Sequence, residues 1–164
     1  IDVDLVTSKE AMVAAAKHKG ASVVEVLQNC VIFNDQIHKY VADKEFRAER
    51  TIHLKHGEKM LFGKDMDKGL VLDGLNLKVV KIGENGVTLD DILVHDATTQ
   101  DSFLHLRLAM MDGHDLPLAV GVIRSAEALC YDEEVKRQME EVRNKKPGKT
   151  LRDLLLSEET WEVK

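Results

Sequence analysis

Seven histidines and two cysteines carry most of the chemical range of this 164-residue sequence. His53 and His56 stand three residues apart. On a helix that spacing puts both imidazoles on one face, where they could share a metal ion. In a strand, side chains alternate and the pair would point apart. The neighbouring residues favour strand and turn, so a shared metal is the weaker reading. His95-Asp96 could act as a ligand pair or an acid–base pair. An Asp before Ala97-Thr98-Thr99 reads more simply as a helix-start residue. A third reading is a free-standing α/β protein that binds a metal through His53, His56 or His95. His18 falls in the last turn of a predicted helix, where positive charge suits the dipole. His105 and His114 have no evident partner. No Ser or Cys sits in a G-x-S-x-G nucleophile turn. Neither G-x-G-x-x-G nor a P-loop occurs. Cys130, between Leu129 and Tyr131, reads as a small packed hydrophobe. Cys30 closes an apolar run and opens a loop. On residue chemistry alone it is an inert half-buried thiol before it is a reactive one.

These residues need elements to position them. Thr7-x-x-Glu10 is a capping box, followed by good helix formers and then Gly20, which predicts a helix over 7–20. Ser22-Val23-Val24-Glu25-Val26-Leu27 is β-branched without clean alternation, as in a strand buried on both faces of a parallel sheet. The strand that precedes the helix is residues 2–5 or lies upstream of this sequence. Residues 37–50 suggest a short helix from Ile37, Tyr40, Val41 and Lys44. Short strands are expected at 51–54, 59–62, 70–72 and 75–82. Asp67-Lys68-Gly69, Asp73-Gly74 and Glu84-Asn85-Gly86 are their turns, giving an antiparallel meander. A helix over 96–111 would be capped by Thr98 or Thr99 and would bury Phe103, Leu104, Leu106, Leu108 and Met111. Residues 116–123 read as a second buried strand, with Pro117 at its start. A charged amphipathic helix spans 132–146, with Val135, Met139 and Val142 on one stripe. It ends at Lys145, Lys146, Pro147 and Gly148. Another turn or two begins at Thr150, and Trp161 is expected to dock the tail.

The net charge is −6, which argues against a nucleic-acid surface or a polybasic membrane surface. No apolar run approaches the roughly 20 residues that span a bilayer. Two cysteines form no disulfide framework, so a cytoplasmic location is expected. The opening Ile1-Asp2-Val3-Asp4 has no Met, basic region or apolar stretch. It is not a signal peptide and reads as a chain cut inside a longer one.

The stretch from His18-Lys19-Gly20 through the 22–27 run to Cys30-Val31-Ile32-Phe33-Asn34-Asp35 resembles the second half of the β subunit of 2-oxoacid:ferredoxin oxidoreductases, especially the 2-oxoglutarate type. Asp2-Val3-Asp4, His56-Gly57-Glu58-Lys59-Met60-Leu61-Phe62-Gly63, Val94-His95-Asp96 and Leu116-Pro117-Leu118-Ala119-Val120-Gly121-Val122-Ile123-Arg124 follow the family in order. The resemblance covers roughly residues 1–135 and is most specific around Cys30.

The resemblance implies oxidative cleavage of a 2-oxoacid with coenzyme A to acyl-CoA, carbon dioxide and reduced ferredoxin. Its cofactors are thiamine diphosphate, Mg2+ and a four-iron four-sulfur (4Fe-4S) cluster, and its partner is the α subunit. Cys30 matches the family's last cluster cysteine and would supply one of four thiolates. The other three, and the Gly-Asp-Gly-Asp-type motif for thiamine diphosphate and magnesium, lie upstream in the family and are missing here. Cys130 matches no ligand position. The chain alone is therefore expected to bind none of these cofactors and to be inactive. The expected fold is α/β: the C-terminal half of a thiamine-diphosphate-binding, Rossmann-like domain with parallel strands, plus an appended small antiparallel β meander and a C-terminal helix. The expected division is 1–50 for the α/β part, 51–130 for a β-rich extension with a helix and a returning strand, and 131–164 for a helical tail. An open sheet edge would favour self-association. The alternative function is a non-catalytic module, residues 37–164, that docks the α subunit or a neighbouring β subunit.

Overall fold

The computed structural model describes residues 1–145, 150–156 and 161. The chain forms two compact units, Ile1–Glu127 and Ala128–Lys164. Helix α1 (Leu5–Lys17) begins one turn before the predicted cap. Asp4 is the N-cap, and its carboxylate accepts from Thr7 N–H at 3.2 Å. An Asp one turn upstream satisfies the same orphan donors as the Thr7 box would. Residues 2–5 are accordingly turn and helix start, not strand. Two short helices follow, α2 (Lys39–Ala42) and α3 (Lys44–Arg50), separated by Asp43, which caps α3.

Strand β1 (Thr51–Leu54) pairs in parallel with β5 (Leu118–Gly121), with Thr51 opposite Leu118 and Leu54 opposite Gly121. Between them in sequence lie β2 (Leu61–Phe62), β3 (Lys68–Asp73) and β4 (Asn76–Lys81), which form an antiparallel sheet in the order β2-β3-β4. The α/β class, with parallel strands beside an antiparallel meander, is borne out, but residues 51–54, expected in the meander, pair in parallel with 118–121, and Lys68-Gly69, expected in a turn, open β3 because they pair with β2 and β4. The meander belongs to the long crossover that a parallel pair requires. Residues 92–95 stitch the two sheets together. Met60 N–H donates to Leu93 O at 2.8 Å, Leu93 N–H to Leu70 O at 3.0 Å, and His95 N–H to Glu58 O at 2.9 Å. A short 3₁₀ turn, Leu89–Asp91, leads into this segment.

One core serves both sheets. Ile52 and Leu54 of β1 join Met60, Phe62, Leu70 and Leu77 from the meander. Helix α4 (Phe103–Ala109) adds Leu108, and Met111 follows it. Gly69 is required by this packing, because a Cβ there would stand 2.6 Å from the buried Ile92 side chain.

Further local expectations differ from the structure. Residues 22–27 are not in a strand, and Val23 is 97% exposed. A strand exists only through its ladder, and among the described residues this run accepts one backbone bond, from Asp2 N–H to Leu27 O, and forms no ladder. Helix α4 starts at Phe103 rather than near residue 96, because Asp96 takes Thr98 N–H and its hydroxyl in a local turn at 2.8 and 2.7 Å. It also buries His105 while Leu106 faces out. In the second unit, α5 (Tyr131–Lys145) and α6 (Leu151–Leu155) form as expected. Trp161, by contrast, is 83% exposed. The stop at 146–148 lies outside the described residues. No helix among the described residues is long and apolar enough to cross a membrane.

Gly121 tests the parallel pairing. Its φ is +104°, and a Cβ there would lie 2.7 Å from the Leu54 carbonyl oxygen. Gly121→Ala is expected to cost about 2 kcal/mol or more. Gly57→Ala, at φ +79° in open space, should cost about 1 kcal/mol. Urea midpoints compare the two; equal losses would mean that the strands do not close on Gly121.

Candidate functional site

Cys30 sits in a loop held from several sides. Asp2 N–H donates to Leu27 O at 3.0 Å, and Asp2 Oδ2 accepts from Asn29 N–H at 3.1 Å. Asn29 then spans the loop. Its Nδ2 donates to Asp35 Oδ1 at 3.0 Å, and its Oδ1 accepts from Gln36 N–H at 2.7 Å. Gln36 adopts φ +63°, a left-handed conformation rare outside Gly, Asn and Asp. Asn34 N–H donates to Cys30 O at 2.9 Å, which folds the chain back over the thiol.

The Phe33 and Ile32 N–H groups, with a smaller share from Asn34, hold the Cys30 thiol below its ordinary pKa, and slight burial works against them. Hydrogen bonds to the charged form of a thiol lower its pKa. Cys30 is half-buried, and the tips of Val31, Ile32 and Phe33 beside it are exposed. Cys130 is buried and lies in the other unit.

The histidines separate into different contacts. His53 Nδ1 meets Thr7 Oγ1 at 3.2 Å, and its Nε2 is 3.8 Å from Asp4 Oδ2. His56 Nδ1 instead accepts from Ala97 N–H at 3.2 Å. The alternation expected of a strand therefore parts the pair. His114, for which sequence offered no partner, stacks on Tyr40 with ring centroids 4.4 Å apart.

His95 and His105 form the one buried imidazole pair among the described residues, edge to face at 6.1 Å. His95 Nε2 donates to Val122 O at 2.9 Å, which leaves Nδ1 as the unprotonated nitrogen, buried and without a partner. His105 Nε2 donates to Asp96 O at 2.7 Å, and its Nδ1 accepts from Arg124 Nη1 at 3.0 Å. Arginine only donates, so the tautomer is fixed. Burial lowers the His95 pKa, with His105 and His56 adding to the effect and the Val122 bond opposing it. Asp96 spends its carboxylate on Thr98, whose hydroxyl and N–H hold the acid below its ordinary range. His95-Asp96 is thus not an acid–base pair, because the carboxylate and the ring serve different neighbours. Sequence gave no sign of the Arg124–His105 contact, which joins a strand exit to a helix.

The donor set does not fit a whole cluster. Cys30 is one thiolate where a 4Fe-4S cluster needs four. Among the described residues no group of three or more His, Cys, Asp or Glu is placed to hold a metal ion. What the site provides is a single thiol whose pKa the backbone of its turn lowers.

The Cys30 loop and the parallel β1–β5 pair both lie in the first unit. No protein-family model matches the chain, and no solved structure matches it. The chain is 36% identical over 166 aligned positions to the 2-oxoglutarate oxidoreductase subunit KorB of Mycobacterium tuberculosis, across 99% of its own length and 44% of that protein's. It therefore spans less than half of this relative. The similarity to this subunit runs along essentially the whole chain.

Two measurements check the local chemistry. Iodoacetamide should label Cys30 with a pH midpoint below that of the same thiol in urea, while Cys130 reacts slowly in the folded chain. Asn29→Ala should move the Cys30 midpoint back up as the turn loosens; an unmoved midpoint would remove Asn29 from the account. His95 binds its proton less readily folded than unfolded, so the unfolded state takes up more protons as pH falls. Stability should then decline as pH drops through the ordinary His range, near 6.5, and His95→Gln should flatten that decline. A slope identical in both proteins would place the proton uptake elsewhere.

Proposed function

We propose that this chain is part of the β subunit of a 2-oxoglutarate:ferredoxin oxidoreductase, in which Cys30 supplies one thiolate to the 4Fe-4S cluster. The observation that carries the reading is the Cys30 turn, which Asp2, Asn29 and Asp35 hold by hydrogen bonds and whose Phe33 and Ile32 amides lower the thiol's pKa, within the stretch that carries the resemblance. N–H groups aimed at a ligating sulfur are one way in which a protein sets a cluster's potential. Asp2, Asn29 and Asp35 hold that turn and so fix where the thiolate stands. The reaction of the whole enzyme is the oxidative decarboxylation of a 2-oxoacid with CoA, using thiamine diphosphate and Mg2+, with ferredoxin and the α subunit as partners in the cytoplasm. In this scheme residues 1–50 complete the thiamine-diphosphate-binding domain, 51–130 form its extension, and 131–164 form a tail. One thiolate holds no cluster alone, so this chain by itself is inactive.

A second reading has one observation in its favour. Met139 and Val142 of α5 are exposed along one stripe, which suits a helix that docks another subunit through residues 37–164.

The experiment uses the longer protein that contains this chain, expressed anaerobically with its partner subunit. Iron, acid-labile sulfide and visible absorption are compared for the wild type and Cys30→Ala. The variant is expected to lose the cluster or hold it weakly. Full, stable clusters in both would make Cys30 a structural thiol and move the docking reading ahead. Dye reduction dependent on 2-oxoglutarate by this chain alone would overturn its proposed inactivity.

A further inference from the structure

Between α3 and the β1–β2 region lies a cavity of about 420 Å³. Lys44, Arg47, Lys55 and Lys59 line it, against one lining carboxylate, Glu58. This gathering of cations lies on a chain of net charge −6. A concave site lined by one sign of charge focuses its field and concentrates counter-ions.

Two of the four cations are uncommitted. Among the described residues Lys44 and Lys55 take part in no ion pair. Arg47 spends one Nη on the Ala42 carbonyl, while its Nε is buried with no acceptor. The guanidinium nonetheless borders the cavity and adds to its positive potential. Lys59 reaches the Leu89 carbonyl at 2.7 Å and Asp90 at 3.6 Å. Asp4 is the other carboxylate near Arg47, and its oxygens already serve Thr7 and approach His53.

The remaining wall is apolar. Leu61, Phe62 and Met66 border the same space, and Met66 is held outward at φ +53°. The volume falls within the range of small-molecule sites. Cations at one side and hydrocarbon at the other suit a ligand with both a multiply charged group and a flat or apolar body. Guanidinium and ammonium groups together match phosphoryl oxygens well.

We propose that this cavity binds a phosphate ester of the nucleoside diphosphate class, with Lys44, Lys55 and Arg47 on the phosphates and Leu61 and Met66 along the ring. A plain dicarboxylate would engage the cations and leave the apolar wall unused. The proposal does not depend on the role of Cys30, since neither the cavity nor its ligand involves the thiol.

Isothermal titration of the full chain with ADP, pyrophosphate and citrate tests it. ADP should bind saturably with a Kd below about 1 mM. Pyrophosphate should compete more weakly, and citrate should be weaker still. The double variant Lys44→Gln/Lys55→Gln, checked by circular dichroism to be folded, should weaken ADP about tenfold and flatten its salt dependence. Lys78→Gln/Lys136→Gln, away from the cavity, should bind as the wild type does. Absence of saturable ADP binding overturns the proposal. So does citrate binding as tightly as ADP, or a cavity variant that binds ADP unchanged. These readouts involve no iron, so failure here is separate from failure of the cluster assignment.

Discussion

The first unit depends on the parallel pairing of β1 with β5. Those strands are distant in sequence, and closing so long a loop carries an entropic cost that only burial offsets. Ile52 and Leu54 provide the burial on β1. Everything between the strands has to return to the same core, and the meander and α4 both do so. Leu93 is the hinge of that arrangement, since it accepts from Met60 and donates to Leu70. One residue thus binds the antiparallel sheet to the segment that follows β1. The same stitch carries His95 under β5, where its Nε2 finds the carbonyl of Val122.

The buried histidines follow from this constraint. Once residues 92–95 are laid along 57–60, the His95 ring can only enter the interior. Burial there disfavours a charged imidazole, and a backbone carbonyl fixes the proton on Nε2. His105 is then the natural neighbour, held by Asp96 O on one nitrogen and by Arg124 on the other. The arrangement is a polar seam within an apolar core, satisfied at every nitrogen but one. That exception, His95 Nδ1, makes the seam sensitive to acid.

Sequence patterns were informative where the signal was local. The Asp73-Gly74 turn, the meander strands, the α1 helix and the charged α5 helix all depend on neighbours within a few residues. The patterns failed where the decision was made elsewhere in the chain. Val23, Val24 and Val26 have the composition of a buried strand but no described ladder, and composition cannot supply a partner. Leu106 fitted the apolar stripe of its helix, yet His105 took the inward place because Asp96 O and Arg124 awaited it. Asp4 displaced Thr7 as the cap because the chain turns at residues 2–3. Of the candidate site, Cys30 was legible as the end of an apolar run. The N–H groups that stabilise its thiolate were not, because they depend on the conformation of the turn.

The Cys30 turn and the cationic cavity use the same physical device with different donors. In both, positive electrostatic potential is fixed in place before any partner arrives, by backbone N–H groups in one case and by lysine and arginine in the other. A single N–H group is weak, so the turn must aim several at one atom, and Asn29 must hold the geometry that aims them. Lysines are strong point charges and tolerate looser placement, so the cavity needs only walls that keep water partly away. This difference assigns the two sites different tasks. The turn suits a fixed sulfur that never leaves, and the cavity suits an anion that comes and goes. Both are built on the first unit, so a change that loosens β1 from β5 should disturb the cavity directly, since Thr51 and His53 of β1 line it. The Cys30 turn is held by Asp2, Asn29 and Asp35, none of which belongs to that pair of strands.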